Sequence, residues 1–261
     1  MLGRAIVVAG GYLADGSSSR EVDLYSPMGD SWRRAPDLPV GVNHASAVVA
    51  RGGLYVIGGY GAERLVFRLD ANGWRASTLP APRAAAGAAA LHGVVYVVGG
   101  VVSNGLAREM LAFDPRRDRW SRLPGPTPRQ HLAVTAARGR IYAVAGRIGG
   151  ADSNLRVVES WAPGEKRWRR ETPVPEARGG TGAAAIGTTI VSVGGEAPGG
   201  TLAKVFAYDV MRRTWRRLDD LSTPRHGLGV VAFAGRVYAI GGGTEPGLSV
   251  SSANESLRIV R

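Results

Sequence analysis

Arg83, Arg129, Arg178 and Arg225 each stand 16 residues ahead of a small residue that closes an apolar run: Gly99, Ala145, Gly194 and Gly241. Val42 takes that place ahead of Gly58. A guanidinium offers a carboxylate two parallel donors. A ring of such groups would suit an acidic peptide or a small anionic ligand. The competing reading is that a residue repeated in most units ties its own unit together, with Glu21, Glu63, Glu109 and Glu255 as partners. Lys204 at one of these places makes such pairing non-uniform. Beside the arginines lie more individual polar residues: Asn43, His44, Gln130, His131 and His226. Three histidines on one face could ligate a metal, but no short ligand spacing supports one, and no metal or other cofactor is expected. They read as ligand-lining residues. His92 falls in a turn at the opposite end of the strands.

Composition closes several routes. There is no cysteine, so disulfides, thiolate metal sites and cysteine nucleophiles are excluded. The net charge is +12, and only Lys166 and Lys204 are lysines. So strong an arginine bias points to GC-rich, bacterial coding and to solubility rather than to a nucleic-acid partner. Arginine pairs such as Arg33-Arg34, Arg116-Arg117, Arg169-Arg170, Arg212-Arg213 and Arg216-Arg217 flank tryptophans. Charge there protects an outer strand edge. No apolar run reaches the roughly 18 residues of a membrane helix. Residues 1–11 do not read as a signal peptide, since their apolar stretch is short and Arg4 interrupts it. The compartment stays open.

The elements that hold these residues repeat. Glycine pairs begin at Gly10, Gly58, Gly99, Gly194 and Gly241, with Ala145-Gly146 as a degenerate sixth. An aromatic precedes a tryptophan by seven residues in Tyr25/Trp32, Phe67/Trp74, Phe113/Trp120, Trp161/Trp168 and Tyr208/Trp215. Each unit reads as four strands. Strand A is small and apolar (AAAGAAAL, LAVTAA). Strand B is β-branched and closed by glycines (VYVVGG). Strand C carries the aromatic, and strand D the tryptophan. A glycine turn such as His92-Gly93 joins A to B. Loops B–C vary most, and Tyr12, Asp15, Asn104, Arg147, Asp152, Asn154 and Glu196 in them are further candidate contacts.

A double glycine after a hydrophobic run, then an aromatic and a Trp at set spacing, resembles the kelch-repeat family over essentially the whole chain. The resemblance implies one all-β domain over residues 1–261, a six-bladed β-propeller. Ligands would bind on the face made by the D–A and B–C loops. The functional expectation is a non-catalytic binding module for a protein, acidic peptide or small anion. The alternative is a carbohydrate-active enzyme resembling sialic-acid mutarotases, with strand-A arginines as a clamp and His131 or Glu196 moving a proton. Galactose-oxidase chemistry, also known among kelch-like propellers, needs a cysteine that is absent.

The first unit lacks strand A, and the last stops after strand C, with Glu255 and Ile259 matching Glu21 and Tyr25. The two gaps are adjacent in repeat order, so one upstream segment of about 25 residues would fill both. The expectation is therefore that Met1 is not the natural start. The rivals are an open ring and one completed by another chain.

Overall fold

A computed structural model describes residues 2–259. Six antiparallel sheets succeed one another along the chain. Blade 1 is β1 (Ile6–Ala9), β2 (Val22–Ser26) and β3 (Ser31–Arg34). Blade 2 is β4 (Ser46–Ala50), β5 (Gly53–Ile57), β6 (Leu65–Asp70) and β7 (Gly73–Thr78). Blade 3 is β8 (Gly87–Leu91), β9 (Val94–Val98), β12 (Glu109–Asp114) and β13 (Arg119–Pro124), with a ribbon of β10 (Val101–Val102) and β11 (Gly105–Leu106) in its B–C loop. Blade 4 is β14 (Ala133–Ala137), β15 (Arg140–Val144), β16 (Val158–Trp161) and β17 (Arg169–Arg170). Blade 5 is β18 (Gly182–Ile186), β19 (Thr189–Val193), β22 (Val205–Asp209) and β23 (Thr214–Arg217), its loop holding β20 (Glu196–Ala197) and β21 (Gly200–Thr201). Blade 6 is β24 (Gly229–Phe233), β25 (Arg236–Ile240) and β26 (Asn254–Arg258). The molecule is a six-bladed, all-β propeller. Among the described residues, blade 1 has no innermost strand and blade 6 no outermost one.

Local chemistry sets these hairpins. The A–B turns Arg51-Gly52, His92-Gly93, Arg138-Gly139 and Ala234-Gly235 have positive φ at both residues, between 47° and 77°. That is the two-residue turn whose twist matches paired strands. The second strand of each sheet is sandwiched between neighbours, so β5 is buried at every residue and alternation disappears.

Side-chain packing closes the ring. Each of the six apolar clusters lies between two successive blades. The junction of blades 6 and 1 is one of them: Ile6 and Tyr25 pack on Tyr238 and Ile240. The inner strands β4, β8, β14, β18 and β24 adjoin in that order, so the axis is crowded and demands small residues. A Cβ on Gly182 would come within 2.2 Å of Val230 in the next blade.

The tryptophans of the outer strands fill the gap to the preceding blade. Trp74, Trp168 and Trp215 each donate an indole N–H to a backbone carbonyl at or just past the end of that blade, on Pro36, Pro124 and Thr172. Trp32 faces the side where blade 6 lacks its outer strand, and it is 47% exposed.

Two slots differ from the sequence expectation. In blade 2 the outer turn is tighter, so Trp74 sits opposite Leu69, and Phe67 sits opposite Ala76. In blade 6 the partner of Val237 is Leu257, as Tyr25 is the partner of Ile6. The aromatic slot therefore falls on Leu257, not Ile259. Glu255 corresponds to Asp23 rather than Glu21.

Candidate functional site

The four repeated arginines are the most deeply buried charged side chains of the described chain, at 0–1% exposure. Each ties together its own blade. Arg129 Nε donates to Ala145 C=O (2.7 Å), its Nη2 to Ala143 C=O (3.0 Å), and its Nη1 to Thr127 C=O and to Glu159 at 2.5 Å. Arg225 repeats this with Thr223, Ala239 and Glu255. Arg178 binds Gly194 C=O, Lys204 C=O and Glu176, and lies 4.8 Å from the Phe206 ring. Arg83 binds Pro82 C=O and Glu109 C=O, with the Glu109 carboxylate 3.8 Å away. Burial lowers the pKa of Arg83, Arg129 and Arg178, the last to about 10. These guanidiniums hold the loops and do not reach the channel mouth. Of their unforeseen acidic partners, Glu159 follows its arginine by 30 residues, as Glu255 does, whereas Glu176 precedes its arginine by two. Glu21 and Glu63 take no part.

The next two residues after each arginine do reach the mouth. The first pairs with the residue two places after the first glycine of its own blade: Asn43 with Tyr60, Ala84 with Val101, Gln130 with Arg147, Gly179 with Glu196, His226 with Gly243. The second adopts left-handed φ of 50–63° in His44, Ala85, His131, Gly180 and Gly227. There it donates its N–H to the same position one blade back: Ala85 to His44 (3.0 Å), His131 to Ala85 (2.9 Å), Gly180 to His131 (2.9 Å) and Gly227 to Gly180 (2.8 Å). This belt of backbone bonds runs from blade 2 to blade 6.

Side chains converge above the belt. The His44 ring meets Tyr12 at 5.7 Å, Tyr60 at 5.3 Å and His131 at 4.9 Å, all edge-on. His44 Nδ1 donates to Asn43 Oδ1 (2.6 Å) and His131 Nδ1 to Gln130 Oε1 (3.2 Å), because a carbonyl oxygen only accepts. Asn43 Nδ2 in turn donates to Ser18 Oγ (2.7 Å). Arg147 is ion-paired to the buried Glu196 carboxylate, whose Oε2 lies 3.7 Å from His226 Nδ1. Among the described residues Arg147 Nε is buried without a partner. Desolvation, then the Arg147 charge, lowers the pKa of His44, and lowers His131 to about 3. His131 is thus a neutral imidazole at ordinary pH. His44, His131, His226, Asn43 and Tyr12 line one cavity of about 840 Å³ that runs from the mouth down to β1.

A family model for the kelch motif matches residues 1–39, 82–127, 128–175 and 177–222. The chain belongs to the kelch-repeat family. The matched stretches cover blades 1, 3, 4 and 5. The unmatched stretches of this kelch propeller are blade 2, where Val42 and Leu69 replace Arg and aromatic, and blade 6. No curated protein matches the chain.

Of the residues singled out in the sequence, the kelch propeller brings together Asn43, His44, Gln130, His131, His226, Tyr12, Arg147 and Glu196. Asn154 joins them through its Nδ2 bond to Glu196 C=O (2.6 Å). It leaves Asp15 and Asn104 exposed at loop tips, Asp152 in a short 3₁₀ turn and His92 in an A–B turn. Tyr60 was missed, although it follows Gly58 by two residues as Tyr12 follows Gly10. Among the described residues no group of three or more His, Asp or Glu could hold a metal. Nor is any helix there long and apolar enough to cross a membrane.

Proposed function

We propose that this kelch propeller is a non-catalytic binding module that seats a peptide segment of a partner protein on the D–A and B–C loop face. The observation that carries this reading is the edge-on convergence of Tyr12, Tyr60 and His131 on His44, beside a cavity that Tyr12, His44 and His131 line, with the Arg147 charge near enough to lower the pKa of both imidazoles. Neutral imidazoles and phenol rings offer planar surfaces with hydrogen-bonding edges, the equipment of a peptide-reading face. Arg147, whose side chain is 15% exposed, is the guanidinium there that would meet a carboxylate, in competition with Glu196. Acidic character in the ligand is therefore confined to one point, because the other arginines are spent inside the blades. A mutarotase-like clamp would want a second guanidinium at the mouth, and the repeated arginines do not supply one.

Peptides selected by display on the immobilised protein test the reading. The selected pool should lose binding to Tyr60→Ala/His131→Ala and keep it to the rim variant Arg116→Ala/Arg117→Ala. The opposite pattern would overturn the assignment of the face.

A further inference from the structure

The C–D turns of blades 3, 4 and 5 each carry two adjacent cations: Arg116-Arg117, Lys166-Arg167 and Arg212-Arg213. All six are exposed. The C–D turns of blades 1 and 2, Pro27-Met28-Gly29-Asp30 and Ala71-Asn72, hold none. The turn charges therefore cover three consecutive blades. Arginine pairs within an outer strand, such as Arg33-Arg34, protect a sheet edge. A turn has no such edge, and a residue that served the blade itself would not be confined to one arc of the ring.

Little on the protein neutralises this arc. Among the described residues Arg116, Lys166 and Arg167 have no acidic partner within ion-pair distance. Arg117 and Arg212 stand 3.8 and 4.0 Å from Asp114 and Asp209, with side chains 80% and 83% exposed. Pairs so open to water are worth little. The acids are also taken up by the turns. Asp114 accepts the Arg116 N–H (2.9 Å), and Asp209 those of Met211 (2.8 Å) and Arg212 (3.0 Å). Glu165 accepts from Arg140 at 2.9 and 2.8 Å. Arg213 is paired to Glu171 at 3.2 Å, and it donates to Arg170 C=O in the outer strand of blade 4 (2.9 Å). Trp168, next to Arg167, reaches Pro124 C=O of blade 3 in the same way. Each of these turns thus abuts the outer strand of the blade before it, and Arg169 and Arg170 carry the charge across.

The chemistry of the arc narrows its partner. Trp120, Trp168 and Trp215 are only partly exposed, and the last two use their indole N–H within the protein. They form no open stacking platform for single-stranded bases. Among the described residues Met211 is the one large apolar side chain exposed in these three turns, too little to anchor the protein in a bilayer. What the arc offers is a row of guanidinium and ammonium groups, which suits closely repeated phosphates.

We propose that the C–D turns of blades 3–5 dock on the phosphate backbone of double-stranded nucleic acid. Composition alone pointed away from such a partner; the placement of the charge on one arc points toward it. These turns lie at the end of the strands opposite the D–A and B–C loops, so the inference goes beyond the peptide-binding reading and stands independently of it.

The probe is a fluorescein-labelled DNA duplex of about 20 base pairs, titrated with the full chain by anisotropy. Saturable binding is expected, and neutralising about four phosphates would weaken it roughly a hundredfold between about 50 and 200 mM salt. Arg116→Gln/Arg117→Gln/Lys166→Gln/Arg167→Gln should bind at least about tenfold more weakly at the lower salt, with a flatter salt dependence. A variant that removes as many charges from blades 1 and 2, Arg33→Gln/Arg51→Gln/Arg64→Gln/Arg75→Gln, should change binding less than about threefold. The replaced side chains are all exposed, so both variants should keep the melting curve of the parent. Three results would each overturn the proposal: no saturable binding at the lower salt, equal weakening by the two variants, or tighter capture by vesicles of phosphatidylserine and phosphatidylcholine than by the duplex.

Discussion

Arg129 Nη1 lies 2.5 Å from Glu159 Oε2, and solvent reaches 0% and 6% of the two side chains. Removing one partner leaves an uncompensated buried charge. Arg129→Ala should therefore cost about 3–5 kcal/mol in urea unfolding, while exposed Arg117→Ala should cost less than about 0.5 kcal/mol. Equal effects would contradict the structural role given to the repeated arginine.

The outer-strand tryptophans should not be equivalent. Trp215 stacks on Tyr208 at 4.8 Å and donates to Thr172 C=O at 2.9 Å. Trp32 stacks on Tyr25 at 4.7 Å but remains half-exposed. Trp215→Ala should cost roughly 3–5 kcal/mol, and Trp32→Ala about half as much or less. A thermal melt ranking them the other way would contradict the packing of blades described above.

Two glycines in equivalent positions separate a crowded inner strand from an open one. Gly182→Ala drives a methyl into Val230 and should destabilise by about 1–3 kcal/mol. Gly229→Ala meets open space at an ordinary strand φ, and should be neutral or add up to about 1 kcal/mol through the unfolded chain. Chemical denaturation of the two variants side by side checks this.

His131 predicts a pH effect with a definite sign. Burial holds its pKa near 3, below the usual 6.5. The unfolded chain takes up a proton that the folded chain refuses, so this stabilisation is complete above about pH 6.5 and is lost as pH falls toward 3. Between pH 7 and 5 the wild type should lose about 2 kcal/mol more than His131→Asn, an exchange that tolerates the left-handed backbone. Parallel losses would show an exposed imidazole.

The blades were legible because glycine pairs, A–B turns and inner-strand composition answer to local geometry. The side chains that face the mouth were only half legible. Which of Arg129, Gln130 and His131 turns inward depends on the Gln130–Arg147 bridge and on left-handed backbone at His131, and neither leaves a signal in one sequence. Spacing also misled where a turn shortened: Phe67 stands seven residues before Trp74 without lying opposite it. The Arg129–Glu159 pair spans 30 residues, an offset that Arg225–Glu255 shares but Arg83–Glu109 and Arg178–Glu176 do not.

Residue-resolved amide exchange by NMR tests the belt at the channel mouth most directly. The N–H groups of Ala85, His131, Gly180 and Gly227, each bonded one blade back, should be strongly protected, while that of Asn104 at an exposed loop tip should exchange fast. Equal exchange in the two sets would contradict the belt that holds His44 and His131 at the mouth.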